Sequence, residues 1–375
     1  MKIYWFILAW VIVFGIMSQM RTKYICVGEG IYESRSNLFM AIMAFSIIIF
    51  FAGMRSYVAD TSAYINTFNQ YPLFSAAHDV IFDSSAREPG FIVFSILIKT
   101  YISQDYQVWL FIIATISGVC IMYPLYKYSC NYGISLFLFM TSCQFTWMFN
   151  GMRQFLVASI LFACTPFILE KKPIPYIIIV LILSTFHKSA LIMIPAYFIV
   201  DSEPWSKRSM LFIACIILAM MFTSKFTGLL DTVVENSDYA TSIGEFKDSD
   251  DGTSPIRILV ESIPIIIAFI YRDRIKEKLT PIIKISINMS LISSGVYIIS
   301  KIAKSGVLLG RLPIYFSLYN LLLLPWLINN TFEKNERRLI NFFMIICYLG
   351  FFYYQMKIAW NGFGYISSIL KINAK

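Results

Sequence analysis

Apolar runs broken by short polar interruptions fill this chain from end to end. Residues 3–17, 135–149, 155–169 and 174–200 are nearly free of charge, and many interruptions are only a few residues long. Runs of this kind suit helices crossing a hydrocarbon core of about 30 Å, because inside lipid every backbone N–H and C=O must be satisfied within its own segment. The pattern predicts an all-α, polytopic integral membrane protein with roughly eleven to thirteen transmembrane helices, at about 20 residues per span. No internal repeat, low-complexity tract or linker divides the sequence, so residues 1–375 read as a single transmembrane domain. The first run follows a single lysine and lacks a small-residue cleavage site, so it reads as the first transmembrane helix and not as a removed signal.

One stretch departs from the regular alternation. Between Phe91 and Tyr126 the chain must cross once to keep later loops in place, yet Ser103-Gln104-Asp105 splits it into two apolar runs. The first, about 91 to 102, is short for a full span. It is expected to be a re-entrant or interfacial helix, followed by one true span over about 107 to 126.

Composition agrees with the pattern. The chain is 58% hydrophobic, 17% aromatic and 14% charged, against about 25% charged residues in soluble domains. Its net charge of +9 would suggest nucleic acid in a soluble protein. Here the basic residues sit in short loops and set orientation, since loops rich in Lys and Arg resist translocation. Arg272 to Lys278, Glu170-Lys171-Lys172, Lys207-Arg208 and Lys334 to Arg338 are placed inside by this rule. The long segment from about 224 to 253 carries Asp231, Glu235, Asp238, Glu245, Asp248, Asp250 and Asp251, and is placed outside as an acidic periplasmic or extracellular loop. Counting spans from these anchors brings a 54–90 loop, Arg153, His187 and the 301–311 segment to the outer face.

The seven cysteines stand singly, mostly within apolar runs, and suit small buried core residues better than a zinc site or a disulfide framework. The two histidines, His78 and His187, lie far apart, so no metal centre is expected.

The polar interruptions on the outer face carry the candidate chemistry. Arg55, Asp60 and Tyr64 fall within ten residues. Their plain reading is a snorkelling arginine and an aspartate capping a helix that starts at Thr61. Arg87-Glu88-Pro89-Gly90 reads as ordinary helix-start chemistry, with Arg87 pairing Glu88 or Asp83. In Asn150-Gly151-Met152-Arg153-Gln154, glycine permits a break and Arg153 occupies the first turn of the next helix. A cation there opposes the helix macrodipole, and an anionic ligand is the simplest thing to favour it. His187 and Lys188 divide another apolar region; a lone histidine is commonly a hydrogen-bonded core residue, but the adjacent lysine points to a wet pocket. Lys301, Lys304 and Arg311 place cations on the face that the positive-inside rule keeps poor in them, and phosphate is a reason for their presence. Together, Arg55, Arg87, Arg153, Lys188 and Arg311 could hold a diphosphate. Asp60, Glu88 or His187 could accept a proton from an attacking hydroxyl.

In this order, Arg55 with Asp60-Thr61-x-x-Tyr64, Glu88-Pro89-Gly90-Phe91, Asn150-Gly151-Met152-Arg153-Gln154, His187-Lys188-Ser189-Ala190 and Gly310-Arg311 resemble the EpsG family of Wzy-like O-antigen and exopolysaccharide polymerases. The resemblance covers roughly residues 50 to 330. It implies a GT-C-like membrane glycosyltransferase in the bacterial inner membrane, multi-pass, with its active site facing the periplasm or outside. Such an enzyme moves a growing glycan from undecaprenyl diphosphate to a sugar hydroxyl of another lipid-linked repeat unit, with no cofactor, metal or nucleotide. The resemblance further implies catalytic roles among Asp60, Glu88, His187 and Arg153, diphosphate contacts from Arg55, Arg87, Arg153, Lys188 and Arg311, and substrate contacts from Tyr64 and Gln154. Its partners would be undecaprenyl diphosphate-linked saccharides, the bilayer and a chain-length regulator, with no nucleic acid. An O-antigen ligase and a lipid-linked oligosaccharide flippase are the competing readings. A ligase would gather its histidine and arginines in one large outer loop, and a transporter would show two related halves with interrupted helices; this sequence shows neither.

Overall fold

The computed structural model describes residues 1–20, 23–28, 31–81, 88–221, 253–304, 306, 309–361 and 363–374. Arg87, Asp83 and the acidic segment 224–252 lie outside the described residues. The chain divides into two compact units, Met1–Leu191 with Phe332–Lys375, and Ile192–Thr331. The first contains α1 (Lys2–Met20), α2 (Leu38–Gly53), α3 (Thr61–Gln70), α4 (Pro89–Tyr101), α5 (Tyr106–Tyr128), α6 (Tyr132–Thr141), α7 (Met152–Ala163) and α8 (Pro173–Ser184). The second contains α9 (Met193–Val200), α10 (Lys207–Met221), α11 (Pro255–Ile270), α12 (Pro281–Ile302) and α13 (Asn320–Thr331). The chain then returns to the first unit as α14 (Lys334–Tyr353).

Helix starts follow local chemistry. The side chains of Asn37, Asp105 and Asn131 accept the backbone N–H of Met40, Gln107 and Ile134, at 3.1, 2.8 and 3.0 Å, which satisfies donors that have no partner inside the helix. Pro89, Pro173, Pro255 and Pro281 stand at the first positions of α4, α8, α11 and α12, where the missing N–H costs nothing. Glu333 and Glu336 close a capping box at α14.

Among the described residues, four helical stretches are long and apolar enough to span a membrane: Lys2–Met20, Tyr106–Tyr128, Pro281–Ile302 and Lys334–Ala359. A fifth is formed if Leu309–Ser317 and Asn320–Thr331, bent by 53°, count as one broken span. The other apolar helices run 10–17 residues. The 91–102 run is one of these, α4, and the full-length α5 follows it, so the short-then-long reading of that stretch matches the helix lengths. The buried-core reading of the cysteines is corrected. Of those described, Cys143 is buried, whereas Cys130, Cys215 and Cys347 are exposed on or beside apolar helices.

In the first unit α2 packs on α1 and α5, α5 on α7, and α1 on α6. Between these helices an aromatic cluster joins Tyr4, Phe145, Phe149, Phe363 and Tyr365, with ring centroids 5.8–6.5 Å apart. A second cluster, Phe68, Phe91, Trp109, Met152 and Leu156, packs under the polar motifs. Lipid tails compete with apolar side chains in such a setting, so close packing and interhelical hydrogen bonds must supply much of the cohesion. The second unit is centred on Ile265, Ala268, Ile283, Ile287, Leu323 and Leu327 of α11, α12 and α13.

Candidate functional site

Two left-handed residues, one inside the 135–149 run and one after it, break the helical path here. After α6, Cys143 takes φ 64°, a 3-10 turn spans Gln144–Met148, and Gly151 takes φ 72° as the N-cap of α7. Glycine tolerates that conformation because it lacks a Cβ. The turn places Arg153 in the first helical turn of α7, as its motif predicts.

Arg153 has a counter-charge within the protein. Its Nη1 pairs with the Glu88 carboxylate Oε2, and its guanidinium lies 5.4 Å from the centre of the Tyr64 ring and 5.7 Å from that of Phe91. An anionic group beside the opposing helix dipole is therefore a side chain of this protein. Glu88 itself pairs with Arg153, a residue distant in sequence.

Glu88 also faces His187. The histidine Nε2 lies 3.7 Å from Glu88 Oε1, and its Nδ1 lies 2.7 Å from the Ser189 hydroxyl, which in turn accepts the Gln154 amide at 3.3 Å. One backbone contact sets this geometry. Gly90 donates its N–H to the Thr185 carbonyl at 2.9 Å, and a Cβ at Gly90 would fall 2.0 Å from Thr185 Oγ1. Glu88 is only 7% exposed. Burial pushes its carboxyl above the ordinary value of 4.5, opposed by the charges of Arg153 and Lys188. Burial likewise raises the Tyr71 phenol, with Arg153 pulling the other way.

A cavity of about 240 Å³ opens beside Arg153, lined by Asp60, Ala63, Tyr64, Thr67, Tyr71, Phe91 and Trp109. It offers aromatic faces, one cation and one carboxylate, a set suited to a polyhydroxylated ring beside an anionic group. Asp60 is exposed, and its side chain makes no capping bond to α3, although that helix does begin at Thr61.

Arg55 stands apart from the other cations. It is 1% exposed, with Nε donating to Thr61 Oγ1 at 3.0 Å, Nη1 to the Ala52 carbonyl and Nη2 to Met152 Sδ at 3.2 Å. Its guanidinium lies 5.7 Å from the Phe149 ring centre. It ties the start of α3 to the start of α7, one residue before Arg153. Around it the chain is fastened by a distant segment, β1 (Tyr365–Ser367), paired with β2 (Ile372–Ala374). Ser56 and Tyr57 donate to the Ile366 carbonyl at 2.8 and 3.1 Å, and Ser367 Oγ donates to the Met54 carbonyl at 2.5 Å.

The structure thus brings together Asp60, Tyr64, Glu88, Arg153, Gln154 and His187 in the first unit. Lys188 is exposed beside them and acts on Glu88 through its charge. Arg311 belongs to the second unit, exposed at the end of the 3-10 turn Leu309–Arg311. Trp109, Tyr71 and Thr67 were not singled out in sequence, where aromatics on apolar helices look like core. Among the described residues no three His, Cys, Asp or Glu side chains gather as a metal site would require.

Short broken helices, full-length apolar spans and an ion pair beside a polar, aromatic cavity define a multi-pass membrane protein with a candidate site at its helix ends. The EpsG family model matches residues 38–366, most of the sequence. The chain belongs to the EpsG family, a family of Wzy-like polymerases. No curated protein and no solved structure matches it.

Proposed function

We propose that this protein polymerises bacterial polysaccharide, moving a growing glycan from undecaprenyl diphosphate onto a sugar hydroxyl of another undecaprenyl diphosphate-linked repeat unit. The observation that carries the reading is the Glu88–Arg153–His187 constellation at an aromatic-lined cavity, in a member of this family. The acceptor oxygen bonds to the anomeric carbon, and the bond from that carbon to the phosphate oxygen breaks. The electron pair leaves with the lipid diphosphate, whose charge Arg153 and Lys188 stabilise. The hydroxyl proton passes to the Glu88–His187 pair, while Asp60, Tyr64 and Gln154 hold sugar hydroxyls. Arg55 acts from beneath by fixing Met152 and Thr61. The reaction needs neither a metal nor a nucleotide, because the lipid diphosphate is already a good leaving group.

Loop charges support a site on the periplasmic or outer side of the cytoplasmic membrane. A chain-length regulator would act on the same growing polymer. The deciding experiment is the polysaccharide ladder of a strain lacking the gene. Loss of a polymerase leaves a single repeat unit on its acceptor, loss of a ligase leaves bare core, and loss of a flippase leaves lipid-linked repeats on the cytoplasmic side. Either of the latter two outcomes overturns the proposal.

A further inference from the structure

The second unit holds an ionisable group that this reaction leaves unused. Glu261 lies in the apolar helix α11 and is 3% exposed. A carboxylate withdrawn this far from water is costly unless its oxygens are hydrogen-bonded. Asn320, at the start of α13, donates its amide both to Glu261 Oε2 and to the Glu261 backbone carbonyl, at 3.1 Å each. Four residues before Glu261 and on the same face of α11, Arg257 hydrogen-bonds the Tyr297 hydroxyl of α12, which also feels the charge of Glu261. Three helices thus converge a carboxylate, an amide, a phenol and a guanidinium.

Polar capacity remains unfilled in the same helices. The hydroxyls of Ser262, Ser293 and Ser294 and the Asn320 Oδ1 are buried without a hydrogen-bond partner. Orphaned polar atoms are destabilising and invite a polar ligand. A simple anion would satisfy the donors alone, and a simple cation the acceptors alone. A group offering both, as a sugar hydroxyl does, matches both kinds of atom. Beyond Tyr297 on the same helix face lies Ser300, and a Cβ at Gly310 would meet Ser300 Oγ at 3.1 Å and Thr253 Oγ1 at 2.8 Å. Arg311 follows directly, a cation suited to the phosphate that accompanies a lipid-linked sugar.

The first unit repeats the logic with Glu88, Arg153 and Gln154. A reaction that joins two lipid-linked saccharides needs two places to hold them. We infer that the second unit carries its own saccharide-binding site, built on Glu261, Asn320, Tyr297 and Arg257, which holds the sugar hydroxyls of one lipid-linked substrate. The inference rests on the polymerase reading above.

The test uses the full chain in lipid nanodiscs with two probes: undecaprenyl diphosphate bearing one native repeat unit, and undecaprenyl diphosphate bearing no sugar. Glu261→Gln is expected to weaken binding of the sugar-bearing probe by about tenfold or more, as loss of a charged hydrogen bond does, with the bare carrier unchanged. The milder pair Ser262→Ala and Ser293→Ala, which keeps the charge and fold, is expected to shift the same probe in the same direction. Unchanged binding of the sugar-bearing probe in these variants, or equal weakening of both probes, overturns the site. If the wild-type chain binds neither probe, the polymerase reading falls and the site with it. If it binds both and the variants match wild type, only the second-unit site falls.

Discussion

Gly90 gives its backbone N–H to the Thr185 carbonyl at 2.9 Å, and so holds the start of α4 against the turn that carries His187. The contact leaves no room for a side chain, since a Cβ at Gly90 would stand 2.0 Å from Thr185 Oγ1 and 2.9 Å from Phe186 Cδ2. Gly90→Ala is expected to part Glu88 from His187 and cut polymer formation about 100-fold, since small misplacements of reacting groups cost that much. Thr185→Ala in the same chain, by removing the nearest clashing atom, should restore part of the loss. A measured Gly90→Ala activity equal to wild type would show that this approach does not set the site.

Arg153→Ala should abolish long-chain polysaccharide while the protein inserts in normal amounts, with a loss of about 100-fold or more, the scale seen when one transition-state donor is removed. Arg153→Lys keeps the charge but not the planar fork stacked between Tyr64 and Phe91, and should also be impaired. Arg311→Ala is expected to behave as Arg153→Ala does. Gel ladders of wild-type length from these variants would deny both residues a role in polymerisation.

Glu88 carries a pH dependence of unusual sign. Its folded-state pKa lies above the ordinary 4.5, so protonation favours the folded protein. That stabilisation is present below the ordinary value and is lost as pH rises through the raised one. Glu88→Gln imitates the protonated form. It should melt at or above the wild-type temperature at neutral pH, yet lose about 100-fold in activity. Wild-type activity should fall on the acid side at a pH higher than an ordinary carboxylate would give. A Glu88→Gln chain that melts well below wild type would mean that the ion pair with Arg153 outweighs the burial of the carboxylate.

Arg55 is expected to respond as a fastening and not as a phosphate contact. Arg55→Met should lower heat stability and activity together, because Thr61, Ala52 and Met152 lose their shared partner. Ser367→Ala, distant in sequence, should do the same more weakly, at about 1 kcal/mol for one hydrogen bond. Full stability combined with weakened diphosphate binding in Arg55→Met would return this residue to the substrate-binding group.

Orientation can be tested separately from chemistry. A cysteine placed at Ser237, within the acidic segment, should react with an impermeant maleimide added from outside. Reaction only after lysis would invert the topology.

Much of the helical frame was legible because its signals are local. The start of α3 at Thr61, the break at Gly151, the Arg153 position in the first turn of α7 and the short α4 before the long α5 all follow from neighbouring residues. The pairings were not. Nothing near Glu88 in sequence announces Arg153, and the carboxylate was read as a partner for Arg87. Arg55 looked like a snorkelling surface cation, but the aromatic residues that enclose it, Tyr4, Phe149 and Tyr365, come from three remote stretches. Glu261 attracted no attention because a single carboxylate in an apolar helix has no local motif; only Asn320 and Tyr297, brought in by other helices, give it meaning.

The fastening of Met54 by Ser367, and of Ser56 and Tyr57 by Ile366, has a consequence for biogenesis. A ribosome delivers α2 and α3 early and residues 365–368 only after α14. Until those late residues arrive, the knot around Arg55 stays open and the start of α7 lacks its final anchor. The enzyme's birth therefore has an order: helices can enter the bilayer one by one, but catalytic competence comes all at once and near the end.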